Sequence, residues 1–199
     1  MRPQIMVFDI GMVLLPFDYQ KSYHIIQPQC KKALLSPEVE QLKVQHETGA
    51  LRGDKFFTAL AETVDYQGSF EDLRQAWCDI FEVNTPMVEY ASALKTRLDG
   101  HIYLLSNIGD VHAAYLEGEH PFLGMFRDRV YSFEVGCMKP SPEIFRLTEE
   151  KFALPGGQIA YVDDMLPNVE AARQAGWTVA HYDCTNHQDF LKAQELWFA

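Results

Sequence analysis

Side chains able to do chemistry stand where several short apolar runs of this chain end. Asp9 closes "IMVFD", Ser106 and Asn107 close "HIYLLSN", and Asp163 and Asp164 close "QIAYVDD". Lys139 stands in "GCMKPSPEIF". A carboxylate at the tip of a buried strand is costly unless it has a partner or a task. Any one of these residues alone would serve as a helix cap or the start of a turn. Together at one sheet edge, with Lys139, they form a candidate ligand site.

For that to happen, the strands must present their ends side by side. Ile5 to Phe8 reads as a first strand, followed by strand-like runs at 101–107, 129–133, 158–164 and 177–182, rich in β-branched and aromatic residues. Helical stretches separate them at 109–117, at 142–152 opened by Ser141-Pro142, and at 167–175 ending at Gly176. Strands alternating with helices predict an α/β fold, a Rossmann-like parallel sheet flanked by helices. In such sheets ligands bind beyond the carboxyl ends of the strands, where these polar residues fall.

Residues 18–98 break the alternation and read as helices alone. Asp18 is positioned to cap a helix running to Ile26, which Pro28 should stop. Ser36-Pro37, Asp54, Ser69 and Thr85-Pro86 open further helices, and Leu73, Ala76, Trp77 and Ile80 recur at helical spacing. The expected organisation is a core of 1–17 and 99–199 interrupted by an α-helical cap subdomain of 18–98. The face carrying Trp77 and Phe81 reads as cap core rather than a sugar platform.

Composition narrows the function classes. The net charge of -11 argues against nucleic-acid binding. Cys30, Cys78, Cys137 and Cys184 are scattered, without zinc-site spacing, as expected of free thiols in a reducing compartment. The first residues lack the pattern of a signal peptide, and no apolar run approaches membrane-spanning length. A cytoplasmic monomer or homodimer acting on a small molecule is expected.

The ordered series "FDIGMVL … LLSN … MKPSPEIF … YVDDMLPNVEAA" resembles the four motifs of the haloacid dehalogenase (HAD) superfamily, over nearly the whole chain. The helical insertion resembles the α-helical cap of its branch of dehalogenases, phosphoglycolate phosphatases and sugar-phosphate phosphatases. "FDIG-VL" followed by "FD" is similar to bacterial glucose-1-phosphate phosphatases and to the N-terminal phosphatase domain of some epoxide hydrolases. The resemblance implies a Mg²⁺-dependent phosphatase of small phosphorylated metabolites, sugar phosphates among them. Asp9 would be the nucleophile, forming an aspartyl-phosphate. Mg²⁺ would take Asp9, the Gly11 main-chain carbonyl and one of the Asp163-Asp164 pair, hard oxygen ligands throughout. Ser106 and the main-chain amide of Asn107 would hold phosphoryl oxygens, and Lys139 would neutralise charge. Alignment on the commoner Gly-Asp-x-x-x-Asp pattern favours Asp164 for the metal, with Asn168 in place of the later acid, yet leaves Asp163 open. The alternatives are a 2-haloacid dehalogenase, or a weakly catalytic HAD-fold module that binds or regulates.

Gly11 departs from the family pattern. The second residue after the nucleophile is usually another Asp, which protonates the leaving alcohol and later activates water. Asp18 is the nearest carboxylate in sequence, and His24, His46 and His112 are alternative proton donors. Without a substitute, the enzyme should prefer esters that depart easily, such as sugar 1-phosphates and aryl or acyl phosphates, over 6-phosphates.

Overall fold

Five parallel strands form a single sheet in the computed structural model, which describes residues 3–194 and 197–198. They are β1 (Ile5–Phe8), β2 (Ile102–Ser106), β3 (Asp128–Tyr131), β4 (Ile159–Asp163) and β5 (Thr178–His181), in spatial order β3-β2-β1-β4-β5. Phe8 stands opposite Leu104 on one side and Val162 on the other. Every residue of β1, β2 and β4 is buried, as central strands covered on both faces must be.

Ten α-helices accompany the sheet among the described residues. Along the chain they are α1 (Tyr19–Ile26), α2 (Pro37–Glu47), α3 (Gly53–Val64), α4 (Phe70–Cys78), α5 (Thr85–Arg97), α6 (Asp110–Glu119), α7 (Ser132–Val135), α8 (Pro142–Phe152), α9 (Leu166–Gln174) and α10 (His187–Gln194). The strand period divides the core. Met6 and Phe8 face a cluster with Leu104, Val162 and Leu116, while Ile5 and Val7 face Ile144 and Phe145 of α8, Ala172 of α9, and Trp177.

The inserted helices divide by what they pack against. α1 to α4 build a core of their own from Ile26, Val39, Phe56, Leu60, Leu73 and Trp77. α5 instead sends Met87, Ala91 and Leu94 into the cluster beneath Phe8. We therefore place α5 with the sheet, although it falls inside the 18–98 insertion expected as the cap. The chain crosses between the two parts twice, and the crossings pair. Phe17 and Phe81 form an antiparallel bridge, Asp18 N donates to Ile80 O at 3.1 Å, and Glu82 N donates to Pro16 O at 2.8 Å.

Most helix starts follow their local signals. The Asp18 carboxylate accepts from Gln20 N, the Ser36 hydroxyl from Val39 N and the Ser69 hydroxyl from Asp72 N. Three details differ from expectation. α3 begins at Gly53 with Arg52 in the cap position, one residue before Asp54. α5 is capped by Asn84, not Thr85; the same side chain also donates to Val13 O at 2.7 Å and Tyr182 Oη at 2.8 Å. The run 129–133 leaves the sheet at Tyr131, because the buried Ser132 hydroxyl exchanges hydrogen bonds with the backbone of Ile108 and opens α7. No helix among the described residues is long and apolar enough to cross a membrane. The four cysteines are free.

Candidate active site

β1 lies between β2 and β4, so the ends of these three strands are neighbours. They open into a cleft of about 550 Å³ whose lining includes Asp9, Gly11, Ser106, Asn107, Lys139 and Asp164. All of these were expected at the site from sequence, and the fold brings them to one place. Ser106, the last residue of β2, is buried at the base.

Lys139 is the electrostatic centre. Its ammonium reaches Asp9 Oδ1 at 3.0 Å and donates to Asp163 Oδ2 at 2.6 Å and to the Leu105 carbonyl at 3.1 Å. Only 4% of the residue is exposed, and burial alone would favour a neutral lysine; the two carboxylates outweigh burial and hold its pKa above the usual value. Asn107 fastens the same residue at its backbone. The Asn107 side chain donates to Lys139 O at 2.9 Å and accepts from Lys139 N at 2.8 Å. This leaves the Asn107 main-chain amide, not its side chain, for a ligand.

Asp163 and Asp164 have different surroundings. Asp163 is fully buried and both its oxygens are occupied. Oδ2 accepts from Lys139, from the Tyr161 hydroxyl and from Asn168 Nδ2, while Oδ1 accepts from Met165 N at 2.7 Å and Asn168 Nδ2 at 3.0 Å. Burial alone would raise its pKa, but Lys139 and these donors hold it below the ordinary carboxylate value. Asp164 is half-buried, lines the cleft, and receives no side-chain hydrogen bond among the described residues. Burial and the neighbouring Asp163 raise its pKa.

Asp9 combines both characters. Oδ1 accepts from Ile10 N at 2.7 Å and meets Lys139, whereas Oδ2 accepts no hydrogen bond from the described residues. Burial pushes this carboxyl up to about 7 against the pull of Lys139. Carboxylate oxygens of Asp9, Asp163 and Asp164 lie within 4.8 Å of one another. Three carboxylates against one ammonium leave two negative charges, which one divalent cation would balance. The all-oxygen donor set suits a hard cation.

The turn after β1 is tightly built. Met12 is held at φ 54 and Val13 N donates to Gly11 O at 2.6 Å. A left-handed non-glycine residue beside a cleft is a strained position of the kind that gathers at functional sites. The Phe17 ring lies over Gly11: a Cβ at position 11 would stand 2.9 Å from Phe17 Cε1. An aromatic ring therefore occupies the space where the common second carboxylate would begin.

None of the four proton donors considered from sequence fits that missing role. Asp18 is exposed and caps α1; His24 is exposed on α1. His46 is buried against the core, with Nδ1 3.0 Å from Leu51 O. His112 reaches the Trp77 carbonyl through Nε2 at 2.9 Å, and burial lowers its pKa to about 4. Instead the cap contributes Glu47, from the end of α2, to the lining beside Gly11, Phe17 and Lys139. Sequence gave no sign of it, since Glu47 reads as one more charge in a polar helix. Tyr161 and Asn168 were also missed as partners of Asp163. Tyr161 did carry a signal, because residues two apart on a strand share a face.

A haloacid dehalogenase-like hydrolase family model matches residues 15–176. The D-ribitol-5-phosphate phosphatase of Bacteroides thetaiotaomicron is 28% identical over 187 residues, covering 86% of this chain and 87% of that protein. A HAD family enzyme from the same bacterium superposes with a TM-score of 0.84 at 20% identity, over 96% of this chain and 99% of that one. Its structure has also been determined in complex with magnesium and inorganic phosphate. The L-2-haloacid dehalogenase of Xanthobacter autotrophicus is more distant, with a TM-score of 0.60 at 18% identity over 90% of this chain and 77% of that one.

Proposed function

The chain belongs to the haloacid dehalogenase-like hydrolase family, and on that premise we propose that it is a Mg²⁺-dependent phosphatase of small phosphorylated metabolites, with sugar or sugar-alcohol phosphates as the substrate class. The observation that carries this reading is the meeting of Asp9 and Lys139 at 3.0 Å, with Asp164 lining the same cleft. The relative that acts on D-ribitol 5-phosphate supports the substrate class.

Asp9, the Gly11 carbonyl and Asp164 would hold the cation; Asp163 is already saturated by Lys139, Tyr161, Asn168 and Met165 N. When bound, Mg²⁺ supplies positive charge to the phosphoryl oxygens and lets a carboxylate approach them. The protein's own groups do the rest. Asp9 attacks phosphorus, the P–O bond to the leaving alcohol breaks, and an aspartyl-phosphate forms that water then hydrolyses. Ser106 and the Asn107 main-chain amide receive phosphoryl oxygens. Lys139, fixed by Asp163 and Asn107, neutralises charge without having to reorganise during the reaction.

Phosphate release from a panel of pentitol, hexose and aryl phosphates tests the reading. Turnover is expected with Mg²⁺, absent in excess chelator, and lost in Asp9→Asn with the fold retained. Near wild-type activity in that variant would remove Asp9 from the mechanism. Halide release from chloroacetate without phosphate release would establish the dehalogenase alternative instead.

A further inference from the structure

The cap is pinned to the core at the end of α2, next to Glu47. The His46 ring packs over Gly109, where a Cβ would come within 2.1 Å of it, and His46 Nδ1 lies 3.5 Å from Asp110 Oδ1. Gly53 N donates to the same Asp110 oxygen at 3.2 Å. Beyond the helix, Arg52 donates to the Phe133 carbonyl and stacks on the Phe133 ring. These contacts hold Glu47 in the cleft on the side facing Gly11.

Glu47 is also an unusual carboxylate for this cap. No salt bridge or side-chain hydrogen bond engages it among the described residues. Lys43, one turn earlier, is committed elsewhere: it donates to the Tyr23 hydroxyl at 2.7 Å and to Glu40 at 2.8 Å, and lies over the Tyr19 ring. A partly buried acid with no partner among the described residues, at the rim of a cleft whose position 11 carries no carboxylate, requires an account.

We propose that Glu47 is the proton donor and acceptor that Gly11 cannot provide, delivered to the site by the cap. The inference rests on the phosphatase reading. In the first step Asp9 forms a bond to phosphorus as the P–O bond to the alcohol breaks, and the Glu47 carboxyl gives its proton to the departing oxygen. In the second, the Glu47 carboxylate takes a proton from water as the water oxygen attacks phosphorus. The P–O bond to Asp9 then breaks, phosphate leaves, and both carboxyl groups return to their starting states.

The electrostatics agree with that cycle. Burial pushes the Glu47 pKa up to about 7, with Lys43 and Lys139 opposing and Glu40 reinforcing the shift. Tyr19 of α1 and His112 of α6 face the same recess, and both are neutral near pH 7. A group poised near neutrality can serve as acid and then as base. With a cap-borne acid, the preference for easily departing esters expected from Gly11 alone disappears, and esters of primary alcohols come within reach.

Leaving-group dependence separates this role from a structural one. The probes are p-nitrophenyl phosphate, whose leaving group needs no proton, and ribitol 5-phosphate or glycerol 3-phosphate, whichever the wild type hydrolyses. In Glu47→Gln, first-turnover release of the alkyl alcohol should fall by roughly 10²–10⁴-fold. The first-turnover burst of p-nitrophenol should stay within about tenfold of wild type. Phosphoenzyme should then accumulate, visible by intact mass. Glu47→Asp, which keeps a carboxyl but draws it back, should show the same pattern more weakly and covers the case in which Glu47→Gln does not fold. Equal losses on both esters, or no loss on either while Asp9→Asn is inactive, would overturn the assignment of Glu47 alone. A wild type that hydrolyses the aryl ester and no alkyl ester would overturn it too. Activity surviving Asp9→Asn would instead bring down the phosphatase reading, and this inference with it.

Discussion

Adding one carbon at position 11 tests whether the Phe17 ring is what keeps that position a glycine. Gly11 is not among the residues with positive φ, so its backbone accepts alanine. The obstacle is steric: the new Cβ would stand 2.9 Å from Phe17 Cε1 and 3.5 Å from Cδ1. Carbon pairs settle at about 3.5–4.0 Å, so the ring would have to retreat by roughly 0.6–1 Å. It is hemmed in by edge contacts with Tyr19 and Phe81, at centroid separations of 5.4 and 5.7 Å. Overpacking of this kind costs about 1–3 kcal/mol. The lower entropy of the unfolded alanine chain offsets about 0.4–1 kcal/mol of that. Gly11→Ala should therefore destabilise the protein by up to about 2.5 kcal/mol. In a Phe17→Leu background the same change should be neutral or stabilising. Urea denaturation of the four proteins closes the cycle, with an expected coupling of at least about 1 kcal/mol. Additivity within about 0.5 kcal/mol would refute the steric argument. Gly11→Asp carries the same clash, so restoring the common carboxylate also requires making room at Phe17.

The two neighbouring aspartates should behave in opposite ways. Asp163→Asn leaves Lys139 short of a buried partner and should cost about 3–5 kcal/mol by chemical denaturation. Asp164→Asn should leave metal-free stability unchanged or slightly higher but abolish the rise in melting temperature on adding Mg²⁺; the reverse pattern would assign the cation to Asp163. His112 predicts a pH dependence of stability. Its pKa is lowered from 6.5 to about 4 in the fold, so the unfolded chain protonates first as pH falls. Its contribution of about 3 kcal/mol is complete above pH 6.5 and lost progressively between 6.5 and 4. His112→Phe should flatten that part of the stability profile, and an unchanged slope in the variant would exclude His112 as its source.

What was legible in the sequence is what local physics decides. Strand tips, serine and aspartate caps and the proline that follows Ser36 or Ser141 act within a few residues, and the structure shows them close to where they were read. The edge-of-sheet cluster was legible because parallel strands end on one side, so Asp9, Ser106 and Asp163 had to meet. Residues whose roles depend on docking were not. Glu47 is one of several acids in "SPEVEQLKVQHE", and only the contact of α2 with Gly109 and Asp110 turns it toward the cleft. α5 carries the same cap-proline signal as the cap helices, and nothing local says that Met87 and Leu94 belong under the sheet. What sets Asp163 apart from Asp164 is its hydrogen-bond donors, which lie on Tyr161, Asn168 and Lys139.

The paired crossings at Phe17 and Phe81 have a mechanical consequence. A lone connection would leave the cap able to swivel as well as tilt. Two connections joined by backbone hydrogen bonds form a short ribbon, stiff against torsion and compliant mainly across its flat face, and such a strip confines a moving body to one hinge axis. Glu47 is carried by the part of the chain that this strip joins to the sheet. Phe17 belongs to the strip itself, so the residue that joins the two parts also covers Gly11.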